Sequence, residues 1–73
     1  MDALLHSLRF FARMPNDPNS VRLGQLRIRE YLQSSTASLR MLGNAIDEEV
    51  QASQSANRFW IKMQELVQGR SKE

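Results

Sequence analysis

The stretch that decides the fold is TASLRMLGNAIDEEVQASQSANRFWIKMQELV, which runs from Thr36 to Val67. Steps of three and four residues connect its apolar and small side chains into one series, as in a helix that buries one side. We call this series the seam; its members are Leu39, Leu42, Ile46, Glu49 or Val50, Ser53, Ala56, Trp60, Met63 and Val67. The spacing predicts one long C-terminal helix against which the rest of the chain folds.

The seam changes character along its length. Residues 39–50 form an ordinary apolar stripe, whereas residues 51–57 are small and polar and would allow another helix to approach closely. At the end of the stretch Phe59, Ile61 and Leu66 widen the apolar surface beyond what one partner helix can cover. This end therefore predicts either packing by the first helix or a hydrophobic binding surface.

Association is the expected source of extra stability. A chain of 73 residues obtains only about 3 to 5 kcal/mol from its own core. It contains no cysteine, so neither disulfides nor thiolate metal sites can contribute. We therefore predict contact with a protein partner, with further copies of the chain, or with both. The predicted partner-binding residues are Leu39, Leu42, Ile46, Phe59, Trp60, Ile61, Met63, Leu66 and Val67.

The first half of the chain carries clearer boundary signals. Asp2 is a suitable N-cap for a helix that extends to about Arg13. Residues 14–17 form a predicted turn, because Pro15 disfavours helix in the residue before it. Asp17 followed by Pro18 is a typical N-cap and first helical residue, so a second helix is predicted over about 18–33.

The second helix is predicted to be covered on two sides. Leu23 and Leu26 lie nearly opposite the face that carries Val21 and Ile28. The covering elements would be the first helix and the long helix together, or another chain. Gly24 indicates either a close helix crossing or simple tolerance of glycine.

Residues 34–38 leave two architectures open. Four hydroxylated side chains compete there for backbone hydrogen bonds, and Ser35 or Thr36 could cap a new helix. The segment has neither glycine nor proline, and the spacing of the seam continues back through it to Ile28. The fold class is thus all-α, either a helical hairpin or a small three-helix bundle, with one long C-terminal helix over about 36–68 and oligomers formed through a coiled-coil-like seam. We favour helix continuity through the serines, with a break or kink as the next possibility.

The residue pattern indicates a protein that is not an enzyme. Asp47, Glu48 and Glu49 are consecutive and point about 100° apart on a helix, so they cannot act as an acid/base pair. His6 has no second ligand or nucleophile at helical spacing. We therefore expect no cofactor, no metal and no small-molecule substrate. No apolar run approaches the length of a membrane span, and no secretory signal is recognised, so the chain is expected to be mature and soluble.

Arginine content favours one alternative function, nucleic-acid binding. Arg22, Arg27, Arg29 and Arg40 lie on or near the second helix, which follows a short turn. Against this reading, the net charge is only +2 and acidic residues lie among the arginines. Nucleic-acid binding is therefore the second hypothesis.

The segment Pro15-Asn16-Asp17-Pro18 carries a resemblance to a known group of proteins. A helix, a short loop of this form and a longer helix that runs into a serine- and glutamine-bearing stretch resemble the small helical hairpins of bacterial type III secretion systems. Needle subunits and their co-chaperones are both of this type. A needle subunit would have a longer polar N-terminal arm and an apolar C-terminus, whereas this chain ends in residues 68–73, which are mostly polar.

The resemblance therefore implies a co-chaperone before a needle subunit. Such a protein pairs with a second chaperone and keeps an aggregation-prone subunit soluble in the bacterial cytoplasm. Its expected function is non-catalytic: a small chaperone or adaptor that covers the apolar helices of a partner. No binding residue of that group carries over to a particular position in this chain.

Overall fold

The computed structural model describes residues 2–71, with side chains up to Gly69, and folds this part of the chain into four α-helices without a strand. The helices are α1 (Asp2–Phe11), α2 (Pro18–Leu32), α3 (Leu39–Ala52) and α4 (Arg58–Ser71). The all-α class is thus confirmed. Helix α1 packs on α2, α3 packs on α4, and α2 crosses α4, so two helical hairpins lie against each other.

The turn between α1 and α2 has the predicted chemistry. Asp17 is the N-cap of α2, Pro18 is its first residue, and the Asp17 Oδ1 atom accepts a hydrogen bond of 2.9 Å from the Asn19 amide. A capped first turn satisfies one of the amides that a helix start leaves without a partner. The sequence signal and the local structure agree here.

Helix continuity through the serines is wrong. Helix α2 ends at Leu32, and α3 begins at Leu39 with Ser38 as its N-cap, in place of Ser35 or Thr36. The Ser38 hydroxyl accepts from the Met41 amide at 3.2 Å, and the Ser38 amide donates to the Tyr31 hydroxyl at 3.0 Å. Side-chain oxygens thus satisfy the backbone that a continuous helix would otherwise satisfy.

The predicted long C-terminal helix is also wrong, because the chain reverses between α3 and α4. A helix over residues 36–68 would be about 50 Å long at 1.5 Å per residue, whereas the longest extent of the molecule is 31 Å. The hairpin with one very long helix and the three-helix bundle are both replaced by four short helices.

A Schellman motif made without glycine ends α3. The Ser55 amide donates to the Val50 carbonyl at 2.9 Å, and the Gln54 amide donates to the Gln51 carbonyl at 3.0 Å. Gln54 and Ser55 have φ values of 56° and 60°. These values lie in the left-handed region, which is unfavourable for residues other than glycine. The turn therefore needs support from tertiary contacts.

Asn57 supplies part of that support. Its Oδ1 atom accepts from the Phe59 amide at 2.9 Å, which caps the start of α4. Its Nδ2 atom donates to the Ala12 carbonyl at 3.1 Å, just beyond the end of α1. One side chain thus starts α4 and fixes it to the first hairpin. A second link joins Arg9 on α1 to Glu49 on α3, with an N to O distance of 2.9 Å.

The core lies where the two hairpins meet. Six large side chains are fully buried, and Ala12, Val50, Trp60 and Val67 are nearly so. The fully buried set is Leu8, Ile28, Leu42, Ile46, Phe59 and Met63. Six side chains of the seam belong to this core, because α3 and α4 fold back on each other, and Leu39 packs against it. Ser53 and Ala56 lie instead in the turn between α3 and α4, where Ala56 is exposed.

Gly24 marks a close crossing of α2 over α4. A Cβ atom at this position would lie 2.6 Å from two ring atoms of Phe59 and 3.1 Å from the Met63 sulfur. Both neighbours are fully buried and cannot move aside into solvent. Close approach, not simple tolerance, therefore explains this glycine.

Alanine substitutions at Gly24 and Gly43 are expected to shift stability in opposite directions. Gly24→Ala should lower the free energy of unfolding by about 1 to 2 kcal/mol, because overpacking outweighs the gain in helix propensity. A Cβ atom at Gly43 would meet only Val67, at an ordinary 3.5 Å. Gly43→Ala should therefore raise stability by about 0.5 to 1 kcal/mol. Urea unfolding followed by circular dichroism measures both; equal shifts of the same sign would contradict the close crossing.

Candidate protein-binding surface

The nine residues predicted to bind a partner lie mainly inside the molecule. Six of them are buried in the core, and Leu39 and Leu66 are partly buried against it. Ile61 is half-buried. The six core residues are Leu42, Ile46, Phe59, Trp60, Met63 and Val67. Partner contact through these six side chains would require the core to open, and it stays a prediction.

Exposed apolar side chains indicate a different surface. Five large hydrophobic residues of the described chain are exposed: Phe10, Met14, Leu23, Leu26 and Met41. Among these five, Leu23 and Leu26 form the only pair on one helix, and their spacing of three residues places them on the same side of α2. They are 42% and 48% exposed. The opposite side of α2 carries the buried residues Ser20, Gly24 and Ile28.

Arginines surround the two leucines. Arg22, Arg27 and Arg29 are all exposed on α2. Arg27 pairs with Glu30 at 3.6 Å, in a contact that solvent surrounds and that therefore contributes little. Within the described part of the chain, neither Arg22 nor Arg29 lies within 4.0 Å of a carboxylate. We call this side of α2, with Leu23, Leu26 and the three arginines, the outer face.

A groove adjoins the outer face at the N-terminal end of α2. It has a volume of about 490 Å³ and lies between the turn that joins α1 to α2 and the start of α4. Its apolar lining comes from Pro15, Pro18 and Val21, and its polar lining includes three cations and no carboxylate. The polar lining residues are Asn16, Arg22, Gln25, Arg58 and Lys62. We call it the basic groove.

A second groove, of about 540 Å³, lies between α3 and α4. The Gln64 Nε2 atom donates to the Asp47 Oδ1 atom at 2.9 Å across it, so these two polar groups satisfy each other. Arg40 is the other charged residue of its lining. The lining thus holds one acidic and one basic side chain. It therefore favours neither an anionic nor a cationic ligand.

The acidic triplet of α3 is divided among three environments. Asp47 accepts from Gln64, Glu49 pairs with Arg9, and Glu48 is exposed. His6 is exposed on α1. These groups do not converge on one point, in agreement with the angles expected on a helix.

The sequence carries a signal for the outer face, because Leu23 and Leu26 lie opposite Val21 and Ile28. The prediction that both sides of α2 are covered is wrong for the side with these two leucines. In the structure α1 and α4 pack on α2, yet Leu23 and Leu26 are left exposed. The basic groove had no sequence signal, because Arg58 and Lys62 join Arg22 only through the crossing of α2 and α4.

Other classes of site have little support in residues 2–71. None of the four helices there combines the length and the apolar composition that a bilayer span requires. In the same range no three His, Asp or Glu side chains are grouped so that they could hold a metal ion. Comparisons with protein-family models, with curated proteins and with solved structures found no match to this chain.

Proposed function

We propose that this protein is a non-catalytic protein–protein interaction module that binds a helix of another protein on its outer face. The observation that carries the proposal is the exposure of Leu23 and Leu26 on a helix whose opposite side is buried. Covering two half-exposed leucines contributes roughly 1 kcal/mol each. An amphipathic helix is the simplest element that buries residues spaced in this way.

Charge favours a different protein over a second copy as the occupant. A two-fold dimer through the outer face would place the arginines of one copy near those of the other. Arg22 and Arg29 have no carboxylate within 4.0 Å in the described structure, so this repulsion would not be offset locally. The partner in this proposal is therefore a helix of another protein.

In its narrower form, the proposal is a small chaperone or adaptor of a type III secretion-like assembly in the bacterial cytoplasm. Support comes from the α1–α2 hairpin, whose loop carries Pro15 and leads into Pro18 at the start of α2, and from its resemblance to small proteins of those systems. A chaperone of this type covers an apolar helix of its client, and Leu23 and Leu26 provide the apolar part of such a contact.

Nucleic-acid binding is the second candidate, favoured by the basic groove. Arg22, Arg58 and Lys62 line it together. Against it, the net charge of the chain is only +2, which is low for a protein that binds a phosphate backbone. Affinity for a labelled duplex should fall steeply with salt if this function is correct.

Site-specific cross-linking tests the main proposal. A photoreactive phenylalanine analogue at Leu26 should cross-link to a different protein in cells of the source organism, because the outer face is covered there. The same analogue at Ala52, which is exposed on α3, is the control. Leu23→Ser should reduce the Leu26 cross-link about fivefold, since it removes half of the apolar contact.

Three outcomes would contradict this proposal. Equal cross-linking from Leu26 and Ala52 would show that the outer face is not preferred. The absence of any cross-link from Leu26 would show that no protein covers the outer face in the cell. A cross-link only to a second copy of the chain would replace a different partner with self-association.

A further inference from the structure

We infer that the basic groove binds carboxylate side chains of the partner, so that the helix docked on the outer face is an acidic amphipathic helix. This inference rests on the proposed function, because it names the chemistry of the same partner. It adds a second contact region, about 490 Å³ in volume, beside the leucines.

Arg22 makes the two regions continuous. It lines the basic groove, and it lies four residues before Leu26, one turn away on the same side of α2. Side chains at this spacing are neighbours, with about 5 to 6 Å between their Cβ atoms. A ligand that covers Leu26 therefore reaches Arg22 without leaving the surface, and the groove begins there.

Unpaired cations give the groove its preference for anions. In the described structure Arg22 and Arg58 lie more than 4.0 Å from any carboxylate. Lys62 has Glu65 at 3.6 Å, in an exposed contact that an incoming carboxylate can replace at little cost. The guanidinium groups offer paired donors that match the two oxygens of a carboxylate.

The surroundings favour a peptide over a nucleic acid. The apolar lining from Pro15, Pro18 and Val21 suits the methylene groups of glutamate better than a sugar-phosphate chain. Leu23 and Leu26 provide an apolar contact that a phosphate backbone does not use. A sequence pI of about 9.7 fits either ligand, but the net charge is only +2.

Two synthetic helical peptides of about five turns provide the probes. Both carry leucines at helical spacing along one side; glutamates flank the leucines in the first peptide, and lysines flank them in the second. Titration into the full chain by calorimetry should give at least about tenfold tighter binding for the glutamate peptide, a difference of about 1.4 kcal/mol. Raising the salt from about 0.05 to 0.3 M should weaken that binding severalfold.

Charge reversals test the groove itself. The double variant Arg22→Glu and Arg58→Glu should weaken the glutamate peptide at least about tenfold. The matched control, Arg13→Glu and Arg40→Glu, changes the net charge equally at exposed positions outside the basic groove. It should stay within about twofold of the unmodified chain, because long-range charge effects are screened. A second measurement does not depend on whether a variant folds: the glutamate peptide should shift the side-chain NMR signals of Arg22 and Arg58 in the unmodified chain.

The outcomes separate this inference from the proposed function. Equal weakening by the two double variants, or unshifted Arg22 and Arg58 signals, would overturn the basic groove as the carboxylate site. If Leu23→Ser still weakens the binding of both peptides in that case, the proposed interaction module stands and only the inference fails. A third outcome is that neither peptide binds, that a DNA duplex binds instead, and that Arg22→Glu and Arg58→Glu weaken the binding of the duplex. This outcome would overturn both the inference and the proposed function in favour of nucleic-acid binding.

Discussion

Phe59→Ala is expected to remove about 3 to 5 kcal/mol from the free energy of unfolding. The Phe59 ring is fully buried and contacts Phe11 at 6.5 Å and Trp60 at 5.3 Å between ring centroids. It also fills the space over Gly24, where α2 crosses close to α4. Since a chain of this size has only about 3 to 5 kcal/mol of net stability, the variant should be largely unfolded at 25 °C.

Phe10→Ala is the matched control, because it removes the same side chain from the surface of α1. Phe10 is 56% exposed and contacts only the edge of Phe11 among the aromatic rings described. Its loss should change stability by no more than about 0.5 kcal/mol. Urea unfolding monitored by circular dichroism measures both variants. Similar losses in the two would show that Phe59 is not the centre of the core.

Asn57→Ala is expected to cost about 2 to 4 kcal/mol, because one side chain makes two unrelated hydrogen bonds. Loss of the cap on the Phe59 amide accounts for about 1 kcal/mol. The Ala12 carbonyl would lose the donor that reaches it across the hairpins, which adds about 1 to 3 kcal/mol for a poorly solvated group.

Asn57→Asp separates the two contributions. A carboxylate still accepts from the Phe59 amide, but it cannot donate to Ala12. Its stability should lie between those of the unmodified chain and Asn57→Ala. Asn44→Ala, at an exposed position on α3, is the control and should be neutral or slightly stabilising. If the aspartate variant is as stable as the unmodified chain, the bond to Ala12 contributes nothing.

The first hairpin could be predicted because its boundaries are encoded locally. Asp17 and Pro18 determine where α2 starts through a side-chain oxygen and a fixed φ angle, and both act over a few residues. The predicted helices of the first half differ from α1 and α2 by two residues or fewer at each end. The all-α class followed from the same periodicity that runs through the whole chain.

The second hairpin could not be predicted, because its turn lacks the residues that usually mark one. Glycine normally ends a Schellman motif, and here Gln54 and Ser55 adopt the left-handed conformation instead. The seam spacing also continues across the turn in phase, so periodicity cannot distinguish one helix from two. Asn57 was the available signal, since asparagine followed by an apolar helix start is typical of an N-cap.

The exposed surface depended on packing that no local pattern contains. The two faces of α2 were visible in the sequence, but which one is covered follows from the placement of Gly24 against Phe59. Likewise, Arg22 and Arg58 are far apart in sequence and line the same groove only because the helices cross. The residues of the candidate site are therefore determined by the packing of helices that are distant in sequence.

The left-handed pair Gln54 and Ser55 also affects the order in which the molecule folds. A turn that is locally unfavourable forms only when contacts made elsewhere compensate for it, whereas the turn at Asp17 and Pro18 is favoured by its own residues. We therefore expect the α1–α2 hairpin to close first and to serve as the template on which α3 and α4 bend together. In kinetic terms, we expect the N-terminal half to nucleate and the C-terminal half to condense on it.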